Sequence, residues 1–142
     1  PTHSDDRFRS CPIRWFSTLF DIPGVEFFSL QWGPRAGEIE PYLDNKNVTS
    51  LSDSLTDFGE TAAFIEQLDL VIAIDTAVAH LAGGMGKTVW VLLAHDADWR
   101  WLQSRNDSPW YPTARLFRQP TPGDWESLVA DVSTALGAEK SR

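Results

Sequence analysis

Residues able to hold an anionic, sugar-bearing ligand gather around one short stretch, Asp75-Thr-Ala-Val-Ala-His80. A carboxylate at Asp75 can accept hydrogen bonds from sugar hydroxyls. The backbone N–H groups that follow Thr76 and Ala77 can point at a phosphate. His80 lies one helical turn after Thr76, so the two share a face. Arg7 and Arg9 would neutralise a pyrophosphate if their loop folds over the same crevice. Glu60 and Thr61 open another helix whose backbone would meet a base or ribose. Each residue also has a plainer role: Asp75 a helix N-cap, His80 a structural histidine, Arg7 and Arg9 solvated loop charges.

The elements that must position these groups follow from the apolar pattern. Leu70 to Ile74 has no polar member, as expected of a parallel strand covered on both faces. Asp75 and Thr76 stand where an N-cap belongs, ahead of a helix from Ala77 to Met85. A strand that feeds a helix N-terminus places free N–H groups and a positive dipole end at the carboxyl edge of a sheet, where doubly wound folds bind phosphates. The small residues Ala77, Ala79, Ala82, Gly83 and Gly84 suit close packing of that helix on the sheet.

Elsewhere, Pro12 fits the first position of a helix carrying Ile13, Phe16, Leu19 and Phe20, and Pro23-Gly24 ends it. Val25 to Leu30 and Val48 to Leu51 are strand candidates. Gly33-Pro34 is a turn, with a short helix over Arg35 to Leu43. Ser52 to Phe58 is a polar loop, and Glu60 to Gln67 a helix with Ala62, Ala63 and Ile65 inward. Thr88 to Leu93 is a strong strand. Ala94 to Tyr111 is a long Trp-rich connection carrying Asp96, Asp98, Trp99 and Trp101, residues suited to a pocket or to packing over the sheet. Arg115 to Phe117 is a short strand, and Asp124 caps a last helix through Leu136, ending near Gly137. This alternation predicts one α/β domain over 1–142: a Rossmann-like parallel sheet sandwiched by helices.

Several chemistries are excluded. Gly83-Gly-Met-Gly-Lys-Thr88 has the ending of a P-loop, but Leu81 stands where its first glycine belongs. The segment also leaves a helix and enters a strand, the reverse of a P-loop. It is a glycine-rich helix end. A lone cysteine, Cys11, rules out an intrachain disulfide. No Ser-His-Asp triad or histidine-rich metal site emerges, and no cofactor is called for. The net charge of −8 disfavours nonspecific nucleic-acid or anionic-membrane binding, so any anion must be held locally. No apolar run has the length of a membrane span. The 7 Trp and 8 Phe supply large buried anchors or a stacking surface.

Several segments together resemble the glycosyltransferase family related to ADP-heptose:lipopolysaccharide heptosyltransferases, in the bacterial branch associated with tetratricopeptide repeats. They are Asp69 to Gly83, Gly86 to Leu93, Asp98-Trp-Arg-Trp-Leu102, Ser108-Pro-Trp-Tyr-Pro112 and Arg115-Leu-Phe-Arg-Gln119, led by His3 to Ser10. The resemblance implies the C-terminal half of a GT-B fold, which binds a nucleotide-diphospho-sugar donor, ADP- or UDP-linked, for inverting, metal-independent transfer in the cytoplasm. Carried over, Asp75 would hold donor-sugar hydroxyls, and Thr76 and Ala77 would offer N–H groups to the pyrophosphate with His80 close by. Arg7 and Arg9 would lie in the phosphate-facing loop. Ala77 replaces the glycine usual in heptosyltransferases. The family's first strand, an apolar stretch ahead of His3, is absent from the sequence, which leaves sheet edges open; the chain is therefore expected to be a fragment of a longer protein, or to form a homodimer that covers those edges.

The expected function is the donor-binding half of a glycosyltransferase, inactive alone. The alternative is a noncatalytic binding or self-association module on the same fold. A response-regulator-like domain fits less well, because no acidic cluster follows an early strand.

Overall fold

A computed structural model describes residues 13–31, 36–44, 47–74, 76–95, 107 and 111–140. In chain order they form α1 (Ile13–Phe16), continued by a 3-10 turn Ser17–Asp21; β1 (Phe27–Ser29); a 3-10 segment Ala36–Tyr42; β2 (Val48–Ser50); a 3-10 turn Ser52–Ser54; α2 (Phe58–Gln67); β3 (Val71–Ile74); α3 (Ala77–Gly84); β4 (Val89–Leu93); β5 (Ala114–Arg118); and α4 (Trp125–Lys140). All strand pairs are parallel, in two sheets: β1-β2, and β3-β4-β5 with β4 central. The chain has a Rossmann-like α/β fold, with parallel sheets flanked by helices.

Strand alternation sorts the side chains onto two faces. Trp90, Leu92 and Phe117 meet Leu128, Val129, Val132 and Leu136 of α4 and Leu19 of the turn after α1. Val89, Val91, Leu93 and Leu116 meet Ile65 of α2 and Ala79 and Ala82 of α3. The first face therefore carries α1 and α4, the second α2 and α3. A smaller cluster of Phe20, Ile39 and Val48 packs the 3-10 segment Ala36–Tyr42 on the first face of β1-β2, with Phe20 edge-on to Phe27 and Tyr42.

The helix ends show their causes. Gly86 takes φ +73° after α3, where Gly86 N–H donates to Gly83 O and Lys87 N–H to Ala82 O. That pair of bonds is a Schellman cap, so the glycine-rich segment is a helix end, as its order in the chain indicated. Asp57, within the expected polar loop, is the N-cap of α2: its Oδ1 accepts the Glu60 N–H at 2.8 Å. Asp-x-x-Glu is a capping-box spacing. Several boundaries differ from the sequence reading. The first strand is confined to Phe27–Ser29, Ala63 is exposed while Thr61 and Ile65 face inward, and α4 runs through Gly137 to Lys140. A single glycine among good helix formers costs too little to stop a helix whose other turns pack on the core.

Asp124 precedes α4, and its Oδ1 accepts the Ser127 N–H at 3.0 Å, which holds its carboxyl below the usual carboxylate range. A lowered folded-state pKa stabilises the fold above the ordinary value near 4 and loses that contribution as pH falls through the lowered one. Thermal unfolding should therefore show Asp124→Ala melting below the parent at neutral pH. The gap should close as the pH is taken below about 4; a gap that widens in acid would contradict this.

Candidate functional site

The carboxyl ends of β3, β4 and β5 point the same way, because all three run parallel. Helix α3 starts immediately after β3 at that edge. Its N-cap, Thr76, has extended backbone angles (φ −136°, ψ 173°), but its hydroxyl caps nothing. The Thr76 Oγ1 donates instead to Ile74 O at 3.3 Å. The Thr76 side chain therefore satisfies none of the first-turn N–H groups of α3, and among the described residues no side chain caps this positive end of the helix. The contrast with α2 is direct: there Asp57 occupies the Glu60 N–H, and its main-chain O accepts both the N–H and the hydroxyl of Thr61.

A cavity of about 1040 Å³ opens between β1 and β3 and reaches this edge, where Thr76, Ala77 and Val78 of α3 and Phe58 and Thr61 of α2 line it. The structure thus brings Thr61, Thr76 and Ala77 to one cavity. Glu60 is solvent-exposed and outside its lining. Asp75, Arg7 and Arg9 lie outside the described residues, as do Asp96, Asp98, Trp99 and Trp101.

His80 has a partner that its sequence neighbourhood did not announce. Its Nδ1 lies 3.0 Å from the Tyr111 hydroxyl, and the two rings meet edge-on with centroids 5.6 Å apart. Tyr111 fits against α3 only because residue 83 is glycine: a Cβ there would stand 2.6 Å from Tyr111 Cγ. The small residues of α3 divide accordingly. Ala79 and Ala82 pack on the sheet, Gly83 admits the Tyr111 ring, and Ala77 and Gly84 are exposed.

Sequence reasoning also missed Gln119, at the carboxyl end of β5. It is buried, and its Oε1 accepts the N–H groups of His95 (3.0 Å) and Gly123 (3.2 Å), tying together the loops that leave β4 and β5. Its Nε2 is the buried side-chain polar atom without a hydrogen-bond partner among the described residues. Gln119→Leu strands two partly buried donors. It should cost about 1–3 kcal/mol in chemical denaturation, with faster amide exchange at His95 and Gly123. An unchanged midpoint would show that water takes over both bonds.

Among the described residues, no group of three or more His, Cys, Asp or Glu could hold a metal ion. Nor is any helix there long and apolar enough to cross a membrane.

No protein-family model matches the chain, and no solved structure matches it significantly. Among curated proteins it is similar to Protein FlbA of Caulobacter vibrioides (strain ATCC 19089 / CIP 103742 / CB 15), 31% identical over 130 residues covering 88% of this chain and 21% of FlbA. The chain spans about a fifth of the length of that relative.

Proposed function

We propose that the chain is the donor-binding half of an inverting, metal-independent glycosyltransferase, taking a nucleotide-diphospho-sugar, ADP- or UDP-linked, at the carboxyl edge of β3. The observation that carries this reading is the N-terminus of α3 facing the cavity, uncapped by any side chain among the described residues, with Thr76 turned back to Ile74. Clefts at the carboxyl edge where strand order changes direction are where open α/β sheets take ligands. In this assignment the N–H groups of the first turn meet the pyrophosphate, Asp75 accepts from sugar hydroxyls, and Arg7 and Arg9 supply cations. Helix-end N–H groups and cations stabilise the charge that builds on the departing nucleotide as the sugar leaves. They are fixed before reaction, so no reorganisation is needed at that moment. The overall negative charge makes this local potential necessary. His80, held by Tyr111, positions the next turn of α3. Catalysis needs an acceptor-binding partner domain, so the chain alone binds and does not transfer, and it does so in the cytoplasm.

Isothermal titration with ADP- and UDP-sugars tests this. Saturable binding should weaken at least about tenfold, near 1.4 kcal/mol, in Asp75→Ala and in an Ala77→Pro variant that removes a first-turn N–H. Binding unaffected by both substitutions, or absent for every nucleotide sugar tried, would overturn it.

A second reading is favoured by the incomplete cover of β3, whose residues Ile72, Ala73 and Ile74 are only half-buried: a noncatalytic module that self-associates as a homodimer through open strand edges. Sedimentation equilibrium separates the two, since this reading requires a dimer whose dissociation frees no donor-binding capacity.

A further inference from the structure

Tyr111 is pinned just ahead of β5. Its carbonyl accepts the Ala114 N–H at 3.0 Å, and the nearby Thr113 bonds twice to the start of β4: its hydroxyl donates to Lys87 O at 2.8 Å and its carbonyl accepts the Val89 N–H at 3.3 Å. The root of the Tyr111 ring lies over Gly83, where a Cβ would collide with Cγ, Cδ1 and Cδ2. Its hydroxyl stands 3.0 Å from His80 Nδ1, three residues nearer the start of α3. The tyrosine therefore lies along the helix, root at Gly83 and tip at His80, pointing toward the helix N-terminus. Side chains on a helix lean the same way, so the His80 ring covers the turn that holds Thr76 and Ala77. The two nitrogens of an imidazole point away from one another. With Nδ1 turned to a hydroxyl that arrives from the Gly83 side, Nε2 faces the first turn. It reaches that turn from the Tyr111 side, while Thr76, Ala77 and Val78 line the cavity.

We infer that Tyr111 is a positioning residue: its hydroxyl donates to His80 Nδ1, holds the imidazole as the Nε2–H tautomer and aims that N–H at the first turn of α3. This role rests on the donor-binding reading above. A neutral imidazole has one donor nitrogen and one acceptor nitrogen, and the partner of one fixes the state of the other. Between a phenol, which ordinarily gives up its proton near pH 10, and an imidazole, which takes one up near 6.5, the nitrogen is the better acceptor and the proton stays on oxygen. The bond therefore runs O–H to Nδ1 and leaves the ring proton on Nε2. The Thr76 hydroxyl adds no donor at this end, because it is spent on Ile74 O. A pyrophosphate oxygen resting on the first-turn N–H groups would meet Nε2–H as one further fixed donor. The opposite tautomer would turn a lone pair toward the same oxygen and repel it. Gly83 thus serves more than close packing: it lets the tyrosine lie where its hydroxyl can set the histidine.

Nitrogen-15 NMR of the histidine rings at about pH 8, above the ordinary imidazole range, reads the tautomer in the ligand-free chain. The His80 signals are those lost in His80→Gln. The parent should show Nε2 protonated and Nδ1 bare. Tyr111→Phe keeps the ring over Gly83 and removes only the hydroxyl, and it should mix in the Nδ1–H form. Titration with ADP- and UDP-sugars supplies the functional half. Tyr111→Phe should weaken saturable binding about threefold to tenfold, the effect of one hydrogen bond. In a His80→Gln background the side-chain amide carries its N–H without help from a hydroxyl, so there the same substitution should change nothing. Nδ1–H in the parent, identical tautomer signals in Tyr111→Phe, or an equal loss of affinity in the His80→Gln background would each overturn the inference and leave the donor reading standing. A parent chain that binds no nucleotide sugar would overturn that reading, and the role of Tyr111 with it.

Discussion

Leu92→Ala will lower the unfolding free energy by about 2–5 kcal/mol. Leu92 is 1% exposed in β4, the central strand of its sheet, and packs in the core that holds Phe117, Trp125, Leu128 and Val132. Its neighbours belong to β5 and to a 16-residue helix that is itself fixed by five inward positions, so the site cannot collapse around the missing methyl groups. Against a total stability of roughly 5–15 kcal/mol, such a loss moves a urea midpoint far. Ile72→Ala on the adjacent strand removes a similar volume from the same face, but from a half-buried position. It should cost clearly less in the chain alone. Equal costs would mean that β3 is already fully packed.

This contrast shows what the apolar pattern could and could not convey. The runs Leu70–Ile74 and Thr88–Leu93 identify two parallel strands, and both form at nearly those bounds. Their composition reports the environment each strand is built for, not whether every neighbour is present, so a run suited to burial on both faces turns out half-covered. Cap chemistry was partly legible. Asp124 and the Gly86 turn act as their spacing indicates, while Asp57 was passed over because it sits in a polar stretch that resembles a loop. Placing Thr76 and Ala77 at a sheet edge was possible from the strand-to-helix order alone. The partnership of His80 with Tyr111 was not, since 31 residues separate them and no local period connects them. Gln119 stayed hidden for the same reason: its two acceptor bonds reach His95 and Gly123 across separate loops.

Adjacent glycines in α3 are expected to respond to alanine with opposite signs. A Cβ on Gly84 meets nothing within 4 Å, so Gly84→Ala should stabilise by up to about 1 kcal/mol through backbone entropy alone. A Cβ on Gly83 would stand 2.6 Å from Cγ, 2.8 Å from Cδ1 and 3.0 Å from Cδ2 of Tyr111. The nearest, Cγ, lies on the axis of ring rotation, so turning the ring about its Cβ–Cγ bond does not clear it, and the hydroxyl at the far end is tied to His80. Relief requires the whole tyrosine to move off the helix. Forcing such a contact costs about 1–3 kcal/mol, more than the helix-propensity gain of about 1 kcal/mol, so Gly83→Ala should be net destabilising. The Tyr111→Ala background removes the obstacle, and there Gly83→Ala should stabilise. A double-mutant cycle by chemical denaturation should therefore return a coupling energy of about 1–3 kcal/mol, with the sign of the Gly83 effect reversed between the two backgrounds. If Gly83→Ala is neutral or stabilising with Tyr111 in place, the ring does not occupy the groove over Gly83. His80 would then lose the hydroxyl that fixes it one turn beyond the open end of α3.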